Sequence, residues 1–126
     1  VDDTIPQNTE GDEILTVTIT PASASNRVHI HAEGFVGSNV IGYLTMALFK
    51  DSGANALTAR NTNASGANLS DYIALDYEEV PGDTSAHTYK IRIGANSGQV
   101  FPNGLNIFRL FGGAAQLTMT VQELVP

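Results

Sequence analysis

The alternation of apolar and polar residues with a period of two constrains this chain more than any other feature of its sequence. Residues 15–20 read Leu-Thr-Val-Thr-Ile-Thr. Successive side chains on a β-strand point to opposite faces, so this pattern is typical of a strand with one buried face. Four later segments alternate in the same way, and no segment carries an apolar stripe of helical period with caps at both ends. The sequence therefore indicates an all-β protein, with further strands at 27–33, 73–78, 88–93 and 117–122.

Turn-forming residues separate the predicted strands at intervals of about 8–12 residues, which is the spacing of a sandwich or barrel. A short strand is predicted at 56–60 and a polar loop at 61–70, while Gly34 and Gly37 are expected to loosen the chain. The chain has 126 residues, enough for one domain. It has no cysteine, which excludes a disulfide scaffold, a thiol nucleophile and a cysteine-ligated metal. We predict an antiparallel β-sandwich of about eight strands.

The charge of the chain is concentrated at its N-terminus. Thirteen acidic residues face six basic ones, and five of the acids lie within the first 13 residues. We interpret 1–12 as an acidic lead-in or linker from a longer protein, and 13–126 as the sandwich domain. Six basic residues are too few to favour a nucleic-acid partner. No apolar run approaches the roughly 20 residues of a membrane helix, so no membrane insertion is expected.

The segment 41–49 is apolar on both faces of its predicted strand, which indicates that both faces are buried. A second apolar segment surrounds Phe108. Either a loop of the same chain covers these side chains, or they meet another subunit, since large exposed apolar patches usually mark association. Association of identical chains about a symmetry axis would fit. The candidates for such an interface are Tyr43, Phe49, Phe108, Leu110 and Phe111.

Short motifs spread over 13–125 resemble a known family. They are Ile14-Leu15-Thr16-Val17-Thr18-Ile19-Thr20-Pro21-Ala22-Ser23-Ala24, Leu48-Phe49-Lys50-Asp51-Ser52, Pro81-Gly82-Asp83-Thr84-Ser85, His87-Thr88-Tyr89-Lys90-Ile91-Arg92, Ser97-Gly98-Gln99-Val100-Phe101 and Leu117-Thr118-Met119-Thr120-Val121-Gln122-Glu123-Leu124. In order and spacing, they resemble the C-terminal receptor-binding or trimerisation domain of bacteriophage tail fibres and tailspikes.

That resemblance implies a jelly-roll sandwich of the tumour-necrosis-factor and C1q type, assembled as a homotrimer at the tip of a fibre on the virion. It also implies a partner on the host-cell surface, a glycan or a protein. The alternative is a purely structural cap that closes the trimer and binds nothing. No cofactor is expected.

A candidate sugar site is predicted around Tyr72, which should point away from the core. Aromatic rings stack on sugar faces, and carboxylates and amides bind hydroxyl groups. Loops on a rigid β-scaffold are also where binding usually resides. The candidate ligand-binding residues are Asn61, Asn63, Asn68, Asp71 and Tyr72.

His29 and His31 share a strand face, so both imidazoles should point the same way. The alternation places them on the polar face, where they are either solvated side chains, weak candidates for a metal site, or part of a pH-responsive interface.

No catalytic arrangement is indicated. Asp76, Glu78 and Glu79 offer the paired carboxylates that glycoside hydrolysis needs, but their simpler interpretation is the polar face of a strand. No Gly-x-Ser-x-Gly motif is present. We expect a protein that is not an enzyme, with a polysaccharide depolymerase as the least favoured alternative.

Overall fold

The computed structural model describes residues 2–67, 69–105 and 108–126. Within them, seven strands have seven residues or more and three have only two or three, and a 3-10 turn occupies Leu110–Gly113. No helix in the described ranges has the length and apolar character needed to cross a membrane. The strands are β1 (Asp12–Ile19), β2 (Arg27–Ser38), β3 (Gly42–Lys50), β4 (Thr58–Ala64), β5 (Ser70–Glu79), β6 (His87–Ala95), β7 (Val100–Pro102), β8 (Gly104–Leu105), β9 (Phe108–Arg109) and β10 (Thr118–Leu124).

The long strands form two antiparallel sheets that pack as a sandwich. The first sheet has the order β1-β6-β3-β4, and the second has the order β10-β2-β5, with β7 also pairing with β2. The chain turns back at the β3–β4 hairpin, whose strands pair in the first sheet. The strands on either side of this hairpin, β2 and β5, pair in the second sheet, and the next two outward, β1 and β6, pair in the first. This wrapping gives the jelly-roll connectivity. The prediction of an all-β antiparallel sandwich is confirmed.

The core lies between the two sheets and uses the side chains that the period-two pattern selects. A buried Leu or Ile contributes about 1.5–3 kcal/mol relative to an exposed one, so this cluster dominates the stability of the fold. The predicted inward residues of β2, β5 and β6 all belong to the core cluster or pack against it. Its buried members are Val28, Ile30, Ala32, Val36, Leu44, Met46, Leu48, Ala64, Ile73, Leu75, Tyr89, Ile91, Ile93 and Leu117.

Gly34 and Gly37 were expected to loosen the chain, but both lie inside β2. There they allow neighbouring segments to pack directly against the backbone of the strand. A Cβ atom on Gly34 would lie 2.7 Å from the side chain of Leu117. A Cβ atom on Gly37 would lie 2.5 Å from the carbonyl oxygen of Gly104. The strand therefore continues through both positions to Ser38 because neighbouring segments pack directly against its backbone.

The predicted polar loop at 61–70 is wrong for its first four residues and for its last, Ser70, which begins β5. β4 runs through Ala64, and Tyr43 pairs with Asn63 and Thr45 with Asn61. Polar side chains remain compatible with this strand because its outer face is exposed to solvent. Among the described residues, 65–67 and 69 lie outside the strands, as the prediction has them.

The acidic lead-in lies against the sandwich. Asn8 N donates to Ala54 O at 2.8 Å, and Ala56 N donates to Pro6 O at 2.9 Å. Arg92 Nε donates to the carbonyl oxygen of Glu10 at 2.8 Å. Residues 2–11 thus cross the outer face of the first sheet, and a cavity of about 350 Å³ lies between segment and sheet.

The structure corrects one predicted interface residue, Phe49. Its side chain is only 2% exposed, and Ala47 on the same outer face is also buried. Both line the cavity beneath the lead-in together with Pro6 and Gln7. The sequence left open whether a loop of the same chain or another subunit covers the second apolar face. At this part of β3, a segment of the same chain covers it.

Phe49→Ala is expected to lower the free energy of unfolding by about 3–5 kcal/mol, because it removes a buried aromatic side chain. Tyr43→Ala, on the same face of the same strand but 44% exposed, is the matched control and should cost about 1 kcal/mol or less. Urea denaturation at low protein concentration measures both. Equal losses for the two variants would contradict the burial of Phe49 beneath the lead-in.

Candidate functional site

A row of charged side chains crosses the outer face of the second sheet. The inward packing of Val28, Ile30 and Ala32 forces the alternate residues of β2 outward, and the register places β5 residues beside them. Arg27 Nη1 lies 3.1 Å from Glu78 Oε1 at one end of the row. We call this surface the polar face; it consists of Arg27, His29, His31, Glu33, Asp76 and Glu78.

Asp76 is the centre of the polar face. Its Oδ1 atom lies 3.2 Å from His29 Nε2 and 2.9 Å from His31 Nδ1. The other ring nitrogen of His31, Nε2, lies 3.3 Å from Glu33 Oε2. His31 therefore bridges two carboxylates, one on its own strand and one on the neighbouring strand.

These contacts shift the protonation equilibria of the groups involved. The hydrogen bond with Asp76 raises the pKa of His31, with a smaller contribution from Glu33. The same bond lowers the pKa of Asp76. The hydroxyl of Tyr72, followed by His31, lowers the pKa of Glu33. Because the side chains are largely solvated, the contacts orient these groups more than they stabilise the fold.

An exposed aromatic pair lies beside the polar face. Phe35 on β2 is directly opposite Tyr72 on β5, and their ring centroids are 6.0 Å apart in an edge-to-face arrangement. The Tyr72 hydroxyl donates a hydrogen bond to Glu33 Oε2, which raises the pKa of Tyr72. Phe35 is 43% and Tyr72 50% exposed. The pair thus presents aromatic surface to solvent next to fixed carboxylates.

The predicted ligand-binding residues divide between two surfaces. Tyr72 is exposed on the second sheet, as expected. Asp71 forms contacts within the chain: its carboxylate accepts hydrogen bonds from Thr62 Oγ1 and Tyr72 N. Asn61 and Asn63 lie on β4 of the first sheet, and Asn61 lines the cavity beneath the lead-in. Asn68 lies outside the described residues.

The remaining predicted interface residues lie towards one end of the sandwich, where β2 ends and β3 begins. Phe111 is 80% exposed, and Tyr43 and Phe108 are also exposed, whereas Leu110 is half-buried. Two further apolar side chains that sequence reasoning did not select, Ile41 and Leu69, are exposed in the connections at this end. We call this surface the apolar end; it consists of Ile41, Tyr43, Leu69, Phe108 and Phe111.

His29 and His31 point outward from the same face of β2, as the alternation predicts. Both are half-buried and contact Asp76. Across residues 2–67, 69–105 and 108–126, no group of three or more His, Cys, Asp or Glu side chains is arranged to hold a metal ion.

Sequence reasoning missed His87, which is buried at the opposite end of the sandwich. Its Nδ1 lies 3.0 Å from Asp51 Oδ2, and its Nε2 lies 3.0 Å from Asp83 Oδ1. The imidazole therefore links the β3–β4 turn to the β5–β6 turn. One signal was present in the sequence: His87 shares the inward phase of Tyr89 and Ile91.

Sequence reasoning also missed Phe35. It follows His29, His31 and Glu33 at period two, so its place on the outer face could have been predicted. The pairing of Phe35 with Tyr72 could not have been predicted, because it depends on the register between residues that are 37 positions apart in the sequence.

No protein-family model matches the chain, and no curated protein sequence matches it.

The contribution of His87 to stability is expected to depend on pH. Hydrogen bonding to Asp51, with Asp83 adding to it, raises the pKa of His87 above 6.5. The stabilisation by His87 is therefore complete below pH 6.5 and is lost as the pH rises through the raised pKa.

The two aspartates titrate in a different pH range. Burial raises the pKa of Asp51, but hydrogen bonds from Thr88 N and His87 outweigh it, and the net pKa lies below 3.8. The Ser85 backbone is the main cause that lowers the pKa of Asp83. The Asp contributions are lost only as the pH falls below 3.8.

His87→Gln should consequently destabilise the protein more at pH 5.5 than at pH 9, as measured by urea denaturation across this range. A proton NMR titration of the imidazole in the folded protein should give a midpoint above 6.5. A destabilisation of equal size at both pH values would contradict a charged His87 between the two carboxylates.

Proposed function

We propose that the chain is a non-catalytic attachment module from the tip of a bacteriophage tail fibre or tailspike. In this proposal it associates as a homotrimer on the virion and binds a glycan or a protein on the host-cell surface. No nucleic acid, membrane insertion or cofactor takes part. The resemblance of its strand and turn motifs to such domains supports the viral origin.

The observation that carries the proposal is the concentration of exposed apolar side chains at the apolar end. Side chains as large as Phe108 and Phe111 are costly to leave in water, and clusters of them usually mark association. The opposite end, by contrast, carries the polar contacts of His87. This asymmetry fits a module that presents one end to its partners.

The proposed mechanism is multivalent. Three weak sites on one trimer, and several fibres on one particle, raise the overall affinity because each binding event after the first is intramolecular. Tight binding at a single site is therefore unnecessary. The antiparallel sandwich provides the rigid support that positions such sites.

Phe108→Asp is expected to shift the protein from trimer to monomer. Placing an unpaired carboxylate in a dry interface costs about 3–5 kcal/mol, which raises the dissociation constant at least ~100-fold. Size-exclusion chromatography with light scattering measures the mass. Val125→Asp replaces another exposed apolar residue, near the opposite end, and is the matched control, which should leave the trimer intact.

A monomeric wild-type protein at micromolar concentration would contradict the proposed trimer. A Phe108→Asp variant that stays trimeric would show that the interface lies elsewhere. Binding of fluorescent wild-type trimer to host cells tests attachment itself. A trimer that binds no permissive host cell would identify the structural cap as the correct alternative.

A further inference from the structure

The aromatic pair and the adjoining half of the polar face combine two chemistries in one place. Phe35 and Tyr72 offer apolar ring surface, and Glu33 lies within hydrogen-bonding contact of the Tyr72 hydroxyl. The C–H groups on one side of a pyranose ring carry partial positive charge and pack against the negative face of an aromatic ring. Carboxylates accept strong hydrogen bonds from the hydroxyl groups at the ring edge.

The two carboxylates in this region are held in place and have accepting capacity left. Glu33 uses Oε2 for its contacts with Tyr72 and His31, and Asp76 uses Oδ1 for both histidines. Among the contacts of the described residues, Glu33 Oε1 and Asp76 Oδ2 have no hydrogen-bond donor. Because a carboxylate has two oxygens with about four accepting positions, each group is oriented by the protein and still open to a ligand.

We infer that this surface, built from Phe35, Tyr72, Glu33, His31 and Asp76, is the receptor site and that it binds an uncharged glycan. One sugar ring stacks on the exposed aromatic surface, and the free oxygens of Glu33 and Asp76 accept hydrogen bonds from its hydroxyl groups. This inference rests on the proposed function and assigns it a place and a ligand class. It keeps Tyr72 from the predicted sugar site and leaves out Asn61 and Asn63, which lie on β4 of the first sheet.

The charge of the polar face favours an uncharged ligand over an anionic one. Three carboxylates, Glu33, Asp76 and Glu78, face one guanidinium, Arg27, while His29 and His31 lie between them. A sialic acid or uronic acid on this surface would place another carboxylate beside Glu33 and Asp76. Like charges at such short range are destabilising, so anionic glycans are selected against.

Binding of immobilised glycans by fluorescent wild-type trimer provides the test. The probes are glucose-, mannose- and galactose-terminated oligosaccharides, together with versions of the same length that end in sialic or glucuronic acid. We expect binding to a subset of the neutral probes and at least tenfold weaker binding to their anionic counterparts. Host-cell binding is measured in parallel with the same preparation.

Four variants locate the site. Tyr72→Ala removes the ring and should weaken neutral-glycan binding at least tenfold, whereas Tyr72→Phe keeps the ring and should change it less than about threefold. Asp76→Asn keeps the shape but removes the charge, and should weaken binding about tenfold. Val80→Ala is the matched control, an exposed apolar side chain just after β5 that belongs to neither the polar face nor the apolar end, and should not alter glycan binding. Light scattering and thermal denaturation of each variant report assembly and folding.

The outcomes separate this inference from the proposed function. Cell binding without binding to any neutral glycan, binding to anionic probes alone, or unchanged binding by folded Tyr72→Ala would each overturn the inference and leave attachment standing. Absence of both cell and glycan binding would overturn the proposed function as well. Loss of glycan binding in Tyr72→Ala, with retention in Tyr72→Phe and Val80→Ala, would establish the site.

Discussion

The packing of alternate side chains from β2 against those of β3 and β6 determines the rest of this structure. Ile30, Met46 and Ile91 are fully buried between the sheets. Because the side-chain period of a strand is two, burying Ile30 places His29 and His31 on the opposite face. A slip of one residue would bring two imidazoles into the core, so the apolar packing that stabilises the sandwich also fixes which groups meet solvent.

Register then converts a polar face into a specific arrangement. On β2 alone, His31 and Glu33 are merely neighbours at period two. The pairing with β5 brings Asp76 opposite His31 and Tyr72 opposite Phe35, and the bridge from Asp76 through His31 to Glu33 follows from those positions. Each contact is weak on an exposed surface, but together they hold two carboxylates in defined orientations.

The sequence indicated on which face of a strand each side chain lies, but it did not indicate which distant segments come into contact. The alternation of residues 27–33 correctly predicted which side chains of β2 are buried, because that property is local. The pattern also indicated that both faces of 41–49 are buried, but it could not show what covers Phe49, because that depends on how the lead-in folds back over β3. The same reason explains the divided prediction of the sugar site: Asn61 and Tyr72 are near in sequence but belong to different sheets.

The two ends of the sandwich differ in a way that bears on function. At one end, the interior closes with ionic contacts: Lys50 Nζ lies 2.6 Å from Glu79 Oε1, and the buried Tyr89 hydroxyl donates to the same oxygen at 2.6 Å. Burial raises the pKa of Tyr89, and Glu79 raises it further, so the hydroxyl remains a donor. Groups of this kind stabilise the chain by contacts within itself and leave little for a partner to bind.

The apolar end has the opposite character. Its large side chains are exposed to water, and their burial would lower the free energy only if another molecule covered them. The aromatic pair and Glu33 lie beside that end on β2 and β5, where the core holds the backbone in place and the side chains remain accessible. The residues that stabilise the fold are thus different from those of the proposed site, which allows the exposed groups to vary without loss of the fold.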